Sequence, residues 1–363
     1  MALPPSLCAA IGDLARPASS DLFDVGLSTE QHLHPRFRLL RQCADLAPAR
    51  CLMCELHSSA FRGVQPEFAA SFQSGDFDGA LFRLFLFALF GAAGHRVDVG
   101  HCDPAFVLSK AGTAASVDAF TVGVPSSCLE PQGDGLRTAQ TESHASGVGG
   151  SLFRRLQRQP WCLPQAAGRP FVIAIQDFDH LQLEAGAPPE ALLRFLFGAS
   201  GHSQDVDELF PDGFFGQPEA EHVSGIFFCN DATIAKFNRQ GLERHAGDAG
   251  RMLRHGSCIA DDGDASGPSS YVYEVGCRET CGETWNEGTV LIHNPFAVRP
   301  LPADWLGASA EMALTGGRLV VRFAHGFHPT SSHTEVLRQD VPAWWVERRT
   351  RLLELEGVAH RGT

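Results

Sequence analysis

The chain has 363 residues, 44% hydrophobic and 20% charged, which fits a folded globular protein rather than a disordered one. A net charge of −13 argues against a protein that coats nucleic acid nonspecifically. Residues 1–20 lack a basic segment followed by an apolar one, and the longest apolar run, 81–93, is short and broken by Arg83; neither a signal peptide nor a membrane span is expected, and a cytoplasmic location is.

Residues 1–34 carry Pro, Ser and Asp without periodicity and are expected to form an irregular arm. Residues 36–60 read as helical with an interruption at Pro48. The strongest helical signal runs over 66–92, where Phe82, Phe85, Leu86 and Leu89 share one face while Leu81, Leu84 and Phe87 fill the others. A helix apolar almost all round is buried on most sides. The period then changes: 96–99, 105–110 and 115–122 read as strands, with a turn at Gly112. A polar, Gly- and Ser-rich loop follows over 123–149, then a helix at 151–158, a buried strand at 171–177, a helix at 189–198 and a strand at 223–229.

Beyond Lys236 the pattern loosens into strands at 271–275 and 289–293, a hairpin over 312–323 around Thr315-Gly-Gly-Arg318, and an amphipathic helix at 344–357. The expected fold class is α/β (α+β), a mixed sheet flanked by helices with a β-rich C-terminal extension. Three segments are expected: 1–62 as N-terminal arm and helix, 63–236 as the core, and 237–363 as the extension.

The eleven cysteines sit in apolar contexts such as Cys51, Cys54 and Cys229 and read as buried thiols rather than a disulfide framework. The alternative is zinc: Cys51-x2-Cys54-x2-His57 has ligand-like spacing that Cys277-x3-Cys281 would complete, although on a helix the first three residues simply mark one face. Basic clusters at 36–41, 154–158 and 348–351 leave a local basic groove open. Lys110 and Lys236 are the only lysines.

The order helix, three-stranded meander, helix, strand is that of the PD-(D/E)xK nuclease core. There, acids gathered at one sheet edge hold Mg2+, which activates water against a phosphodiester. The sequence also resembles an uncharacterised bacterial family labelled "glycosaminoglycan attachment site". The motifs that carry the resemblance are Leu81-Phe-Arg-Leu-Phe-Leu86, Pro104-Ala-Phe106, Val117-Asp-Ala119 and Ser151-Leu-Phe-Arg-Arg-Leu156. They continue through Gly168-Arg-Pro-Phe-Val-Ile-Ala-Ile-Gln-Asp-Phe178, Thr233-Ile-Ala-Lys-Phe-Asn-Arg239, Glu283-Thr-Trp285 and His293-Asn-Pro295, covering most of residues 65–305.

The resemblance implies a restriction-endonuclease-like core, and the departures from it fall on the chemistry. Arg83 stands where the helix should offer Glu, Ala105 where the second strand should offer Asp, and Asp118 where the third should offer Glu. The lysine position is Phe120, and a lysine shifted onto the next helix would fall at Arg155, which stays protonated and cannot act as a base. Asp118 is thus the surviving carboxylate and metal ligand. Asp103, two positions before Ala105 and on the same side of a strand, is a partial substitute or else a turn residue before Pro104. Mg2+ is expected only if the site is active; otherwise no cofactor is. Because a charge on an apolar helix is costly unless paired, Arg83 is expected either to pair with Asp118, its guanidinium replacing the cation, or to snorkel to solvent.

Further candidates lie at the ends of strands. Asp177, Asp179 and His180 could bind a ligand or metal, or merely cap a turn. His293-Asn294-Pro295 is similarly placed, and Lys236 beside Arg239 suits either a phosphate contact or a surface pair. Asp261-Asp-Gly-Asp264 lacks EF-hand spacing and reads as a solvated loop, while Glu283 and Glu287 flank Trp285 with no glycosidase signature. There is no G-x-S-x-G, Walker A or Rossmann fingerprint. Three readings follow: a catalytically degenerate nuclease-like protein serving as a binding or scaffold module, an active nuclease with a rearranged acidic site, and a zinc-stabilised interaction protein or unrelated hydrolase. The sequence specifies no partner; nucleic acid stays open and a membrane is not expected.

Overall fold

The computed structural model describes residues 22–25, 30–123, 137–178, 188–198, 213–244, 250–260, 269–276, 282–324, 327–337 and 341–359. In chain order the helices are α1 (Pro35–Gln42), α2 (Ala47–Leu56), α3 (Phe68–Gln73), α4 (Phe77–Ala92), α5 (Arg137–Arg158), α6 (Glu190–Phe197), α7 (Ile234–Arg244) and α8 (Ala343–Ala359). The strands are β1 (Arg96–Asp98), β2 (Phe106–Lys110), β3 (Thr113–Val122), β4 (Phe171–Asp177), β5 (Val223–Cys229), β6 (Arg251–Ala260), β7 (Ser269–Glu274), β8 (Thr289–His293), β9 (Ala310–Thr315), β10 (Arg318–Phe323), β11 (Phe327–Pro329) and β12 (His333–Leu337). The class is mixed α/β, as the alternating periods imply. No helix among the described residues is long and apolar enough to cross a membrane.

Contacts divide the chain into two compact units, one of Met1–His95, Ala232–Glu287 and His325–Thr363, the other of Arg96–Asp231 and Gly288–Ala324. This division cuts across the segments 1–62, 63–236 and 237–363, because the C-terminal strands are shared between two sheets rather than gathered in an extension.

The unit containing residues 96–231 is built on an eight-stranded sheet of order β1-β2-β3-β4-β5-β8-β9-β10. β1, β2 and β3 form the expected antiparallel meander, and the chain passes through α5 to β4, which lies parallel to β3. β5 continues parallel, β8 turns antiparallel, and the β9–β10 hairpin completes the sheet. β4 and β5 are buried at every position, which explains their unbroken apolar runs. Ile173 and Ile175 of β4 pack with Leu152 and Leu156 of α5 and Leu192 and Leu196 of α6.

α5 begins at Arg137, well inside the segment expected to be loop. Gly147, Gly149 and Gly150 gave that stretch its loop-like composition, yet small residues also let a helix approach its neighbour closely. At Gly149 a Cβ would lie 3.0 Å from the Phe195 ring of α6. Residues 124–136 of the expected loop lie outside the described residues.

In the other unit the signal over 66–92 divides into α3 and α4, broken across Ser74, Gly75 and Asp76. Pro48 starts α2 rather than interrupting a helix, since a first-turn proline gives up no helical hydrogen bond. α2 and α7 cross closely. Asn238 Oδ1 accepts from the Ala49 N–H at 3.2 Å and its Nδ2 donates to the Asp45 carbonyl at 2.9 Å. Gly241 of α7 lies directly against the Pro48 carbonyl.

The sheet of this unit was largely illegible in the sequence. β6 runs through its centre, pairing with β7 on one side and with β12 and β11 on the other. Its face Met252, Arg254, Gly256, Cys258 interrupts apolar alternation with a charge and a glycine, which hid the strand. The thiols also depart from expectation. Cys229 and Cys258 are buried, but Cys51, Cys102 and Cys162 are exposed, because apolar neighbours in sequence occupy the opposite face of a helix or turn.

Gly241→Ala is expected to destabilise the protein by about 1–3 kcal/mol, since the added methyl meets backbone that cannot yield. Gly147→Ala, whose Cβ meets open space, should be neutral or stabilising by up to about 1 kcal/mol. Denaturant unfolding of both variants checks the contrast.

Candidate functional site

Asp118 sits midway along β3, where alternation points its side chain to the face shared with Phe120 and Val122 and covered by α5. Arg155 of α5 reaches down to it: Nε donates to Asp118 Oδ2 at 2.6 Å. The other oxygen, Oδ1, accepts from the Ala119 backbone N–H at 2.9 Å, so both carboxylate oxygens are occupied. The guanidinium lies 4.0 Å from the centre of the Phe120 ring, and its Nη1 donates to the Ser151 carbonyl at 3.1 Å. A planar cation is therefore clamped between a carboxylate and an aromatic face.

Asp103 is held from the same helix. Arg158, one turn beyond Arg155, forms an ion pair with Asp103 Oδ2, and Gln165 donates to the Asp103 carbonyl. Asp103 Oδ1 is buried without a hydrogen-bond partner. Ala105 is buried, and continuing the Phe106↔Val117 register by one step places it opposite Asp118. An aspartate at 105 would have stood beside Asp118 on the neighbouring strand. With alanine at 105 no second carboxylate stands there, and Arg155 neutralises Asp118.

These residues do not fit a Mg2+ site. A hard cation needs several oxygen ligands with free lone pairs, and here a guanidinium and a backbone amide already take both oxygens of Asp118. Among the described residues no group of three or more His, Cys, Asp or Glu side chains is placed to hold a metal ion. In the zinc candidate, Cys51 is exposed while His57 is buried and stacks on Phe68; Cys277 and Cys281 lie outside the described residues.

The partner expected for Asp118 is corrected. Arg83 is half-buried on α4, 3.6 Å from Asp76 Oδ2 and 3.3 Å from Gln65 Oε1, with its guanidinium over the Phe68 ring. The acid that begins its own helix and an aromatic neighbour engage it, while α5 supplies the cation for Asp118. Asp177 is fully buried at the end of β4, level with Val122. It is four residues along from Ile173, which faces Asp118, hence about 13 Å further along the sheet and no part of an acidic cluster with Asp118. Asp179, His180 and residues 261–264 lie outside the described residues. His293 meets Glu311 at 3.2 Å, and Asn294 donates to the carbonyls of Ala220 and Val223, so this tripeptide pins the end of β8.

The largest correction concerns Lys236 and Arg239, expected on the surface or at a phosphate. Both are buried, with Lys236 0% exposed, on the inner face of α7. Lys236 Nζ lies 2.7 Å from Glu283 Oε1 and donates to the Thr284 carbonyl at 2.8 Å. Arg239 grips Glu283 with two hydrogen bonds of 2.8 and 2.9 Å and donates a third to Thr334 at 2.8 Å. Arg254, also 0% exposed, reaches from β6 to Glu287 Oε2 at 2.5 Å, Tyr273 at 2.8 Å and Ser332 at 3.0 Å. Its Nη2 has no hydrogen-bond acceptor, but the guanidinium is boxed by the rings of Tyr271, Tyr273 and Phe327 at 5.6–5.9 Å.

Burial alone would raise the Glu283 carboxyl. Arg239, Arg254 and Lys236 reverse that and hold it well below the usual carboxylate range. Burial pushes the Tyr273 hydroxyl up, and it also raises Glu243, whose Oε1 accepts from the Glu283 N–H at 3.1 Å. The readable signal was the spacing: Lys236 and Arg239 are three apart on a helix around Phe237, and Glu283 and Glu287 frame Trp285, so four charges were embedded in apolar context.

Comparison of the chain with family models, curated proteins and solved structures returned no match.

Removing Glu283 takes the bidentate carboxylate from Arg239 and the near one from Lys236, and leaves Glu287 facing three buried cations. Glu283→Ala is expected to cost about 3–5 kcal/mol at neutral pH. The folded-state value is depressed, so its stabilisation is complete above the ordinary glutamate value of about 4.3 and is lost as pH falls below it. Glu243, raised by burial, acts in the opposite sense. Thermal unfolding between neutral pH and about pH 3 should show an acid decline that is shallower in the variant; equal slopes would disprove the assignment.

Proposed function

We propose that this protein is a catalytically degenerate member of the nuclease-like class, with the residual site serving a binding or scaffold role. The observation that carries the reading is the 2.6 Å bond from Arg155 to Asp118, made at the position where a metal and a lysine would otherwise act. Three further features support it: the methyl of Ala105 in place of a second acid, the Arg158–Asp103 pair, and the meander–helix–strand order that frames them. In this reading α5 carries the cations that the chemistry once drew from solvent. The site keeps its shape and has lost its electrophile and its base.

A second reading, an active metal-dependent nuclease with a rearranged site, is favoured by one observation: Asp103 Oδ1 is buried and accepts no hydrogen bond. In that reading Asp103 and Asp118 would hold the metal that activates water, provided Arg158 and Arg155 withdrew.

Calorimetric titration with Mg2+ and Mn2+ separates the two. The degenerate reading expects no saturable binding by the wild-type chain or by Asp118→Ala, and no cleavage of DNA or RNA. It also expects Arg155→Ala, which leaves Asp118 buried and unpaired, to lower stability by about 3–5 kcal/mol. Metal binding by the wild type that disappears in Asp118→Ala, together with cleavage, would establish the nuclease instead.

A further inference from the structure

The eight-stranded sheet ends on β1 at one side and β10 at the other, and the two edges differ. β1 is three residues long, Arg96-Val97-Asp98, a short strand with a charge at each end that discourages pairing. β10 is six residues long and reads Leu319-Val320-Val321 through its middle. These three are 37%, 50% and 40% exposed. Among the described residues β10 pairs only with β9.

The hairpin register determines which backbone groups face outward. Thr315 and Arg318 close the two-residue turn Gly316-Gly317, where both glycines have positive φ, as such turns require. Arg318, Val320 and Arg322 therefore direct their N–H and C=O to β9, while Leu319 and Val321 direct theirs to the free edge. The side chains divide equally cleanly. On one face Leu319 lies opposite Leu314 and Val321 opposite Met312, so the apolar core surface continues to the last strand and stops there, with Leu314 also exposed. The other face carries Arg318, Val320 and Arg322.

We infer that β10 is a self-association edge, pairing antiparallel with β10 of a second copy about a twofold axis at Val320. An antiparallel strand is complementary to itself: Leu319 of each copy meets Val321 of the other and exchanges both backbone hydrogen bonds with it. The same register places these two apolar side chains side by side and extends the apolar face across the seam. On the opposite face Arg318 meets Arg322 of the second copy. Arg322 is already gripped by both oxygens of Asp304, at 2.6 and 2.7 Å, and by Glu311 at 2.9 Å. Two carboxylates around one guanidinium leave a net negative surface facing Arg318. That charge match selects a second copy of this chain over an acidic strand.

Sedimentation velocity on the full chain over a range of concentrations tests the assignment, with a dimer expected. Val321→Pro removes an N–H that points to the free edge and none that β9 uses, and Val321→Lys places an ammonium in the apolar seam. Both variants should be monomeric with unchanged far-ultraviolet circular dichroism; if the proline variant fails to fold, the lysine variant decides. Arg318→Glu should weaken the dimer a few-fold, more at low salt than at high. A wild-type chain that stays monomeric assigns the edge to a different strand and overturns self-pairing. A dimer that persists in Val321→Lys overturns it as well, by locating the interface elsewhere.

Discussion

Burying a carboxylate is permissible only where a cation is delivered to it, and that constraint organises both units. In one, α7, β6 and the segment holding Glu283 and Glu287 are positioned so that Lys236, Arg239 and Arg254 converge on two buried acids. Each element supplies a charge that would be intolerable alone, so the helix, the strand and the loop specify one another's positions. Replacing the set by apolar residues could be as stable, but it would not demand this one arrangement.

The second unit applies the same device at Asp118. Asp118 lies on a strand flanked by parallel and antiparallel neighbours, facing a helix, a setting able to focus a field on a ligand. Instead the helix contributes Arg155 and Arg158, and the field is cancelled within the protein. Cancellation by guanidinium differs from cancellation by metal: the arginine is covalently tethered, permanently charged and stacked on Phe120, and it brings no exchangeable water.

How much of this was legible follows from where the information lay. β4, β5 and the β9–β10 hairpin were readable because unbroken apolar runs and a Gly-Gly turn are local signals. Asp118 and Arg155 were named through the resemblance to the nuclease core and Asp103 by strand alternation, and the structure brings Asp118 together with Arg155 and Asp103 with Arg158. That the cation for Asp118 comes from α5 rather than Arg83 depends on tertiary placement, which no spacing encodes. β6 was missed because its inward face bears Arg254, and a charge counts against burial until its partners are known. Those partners, Glu287, Tyr273 and Ser332, come from three separate stretches of chain.

The interleaving of the two units bears on how the chain is made. Arg239 is held by Thr334, which lies 95 residues further along, and between them falls a block of strands, Gly288–Ala324, that belongs to the other sheet. During synthesis Lys236, Arg239 and Arg254 leave the ribosome long before β12, and their contacts with Ser332 and Thr334 require closing a long loop against its entropy. A chain cut short before Ser332 would hold all five charges but would lack the hydroxyls of Ser332 and Thr334 and the strand β12 that pairs with β6. The charges can thus meet early, and the two hydroxyls from the end of the chain complete the hydrogen bonding of Arg239 and Arg254 last.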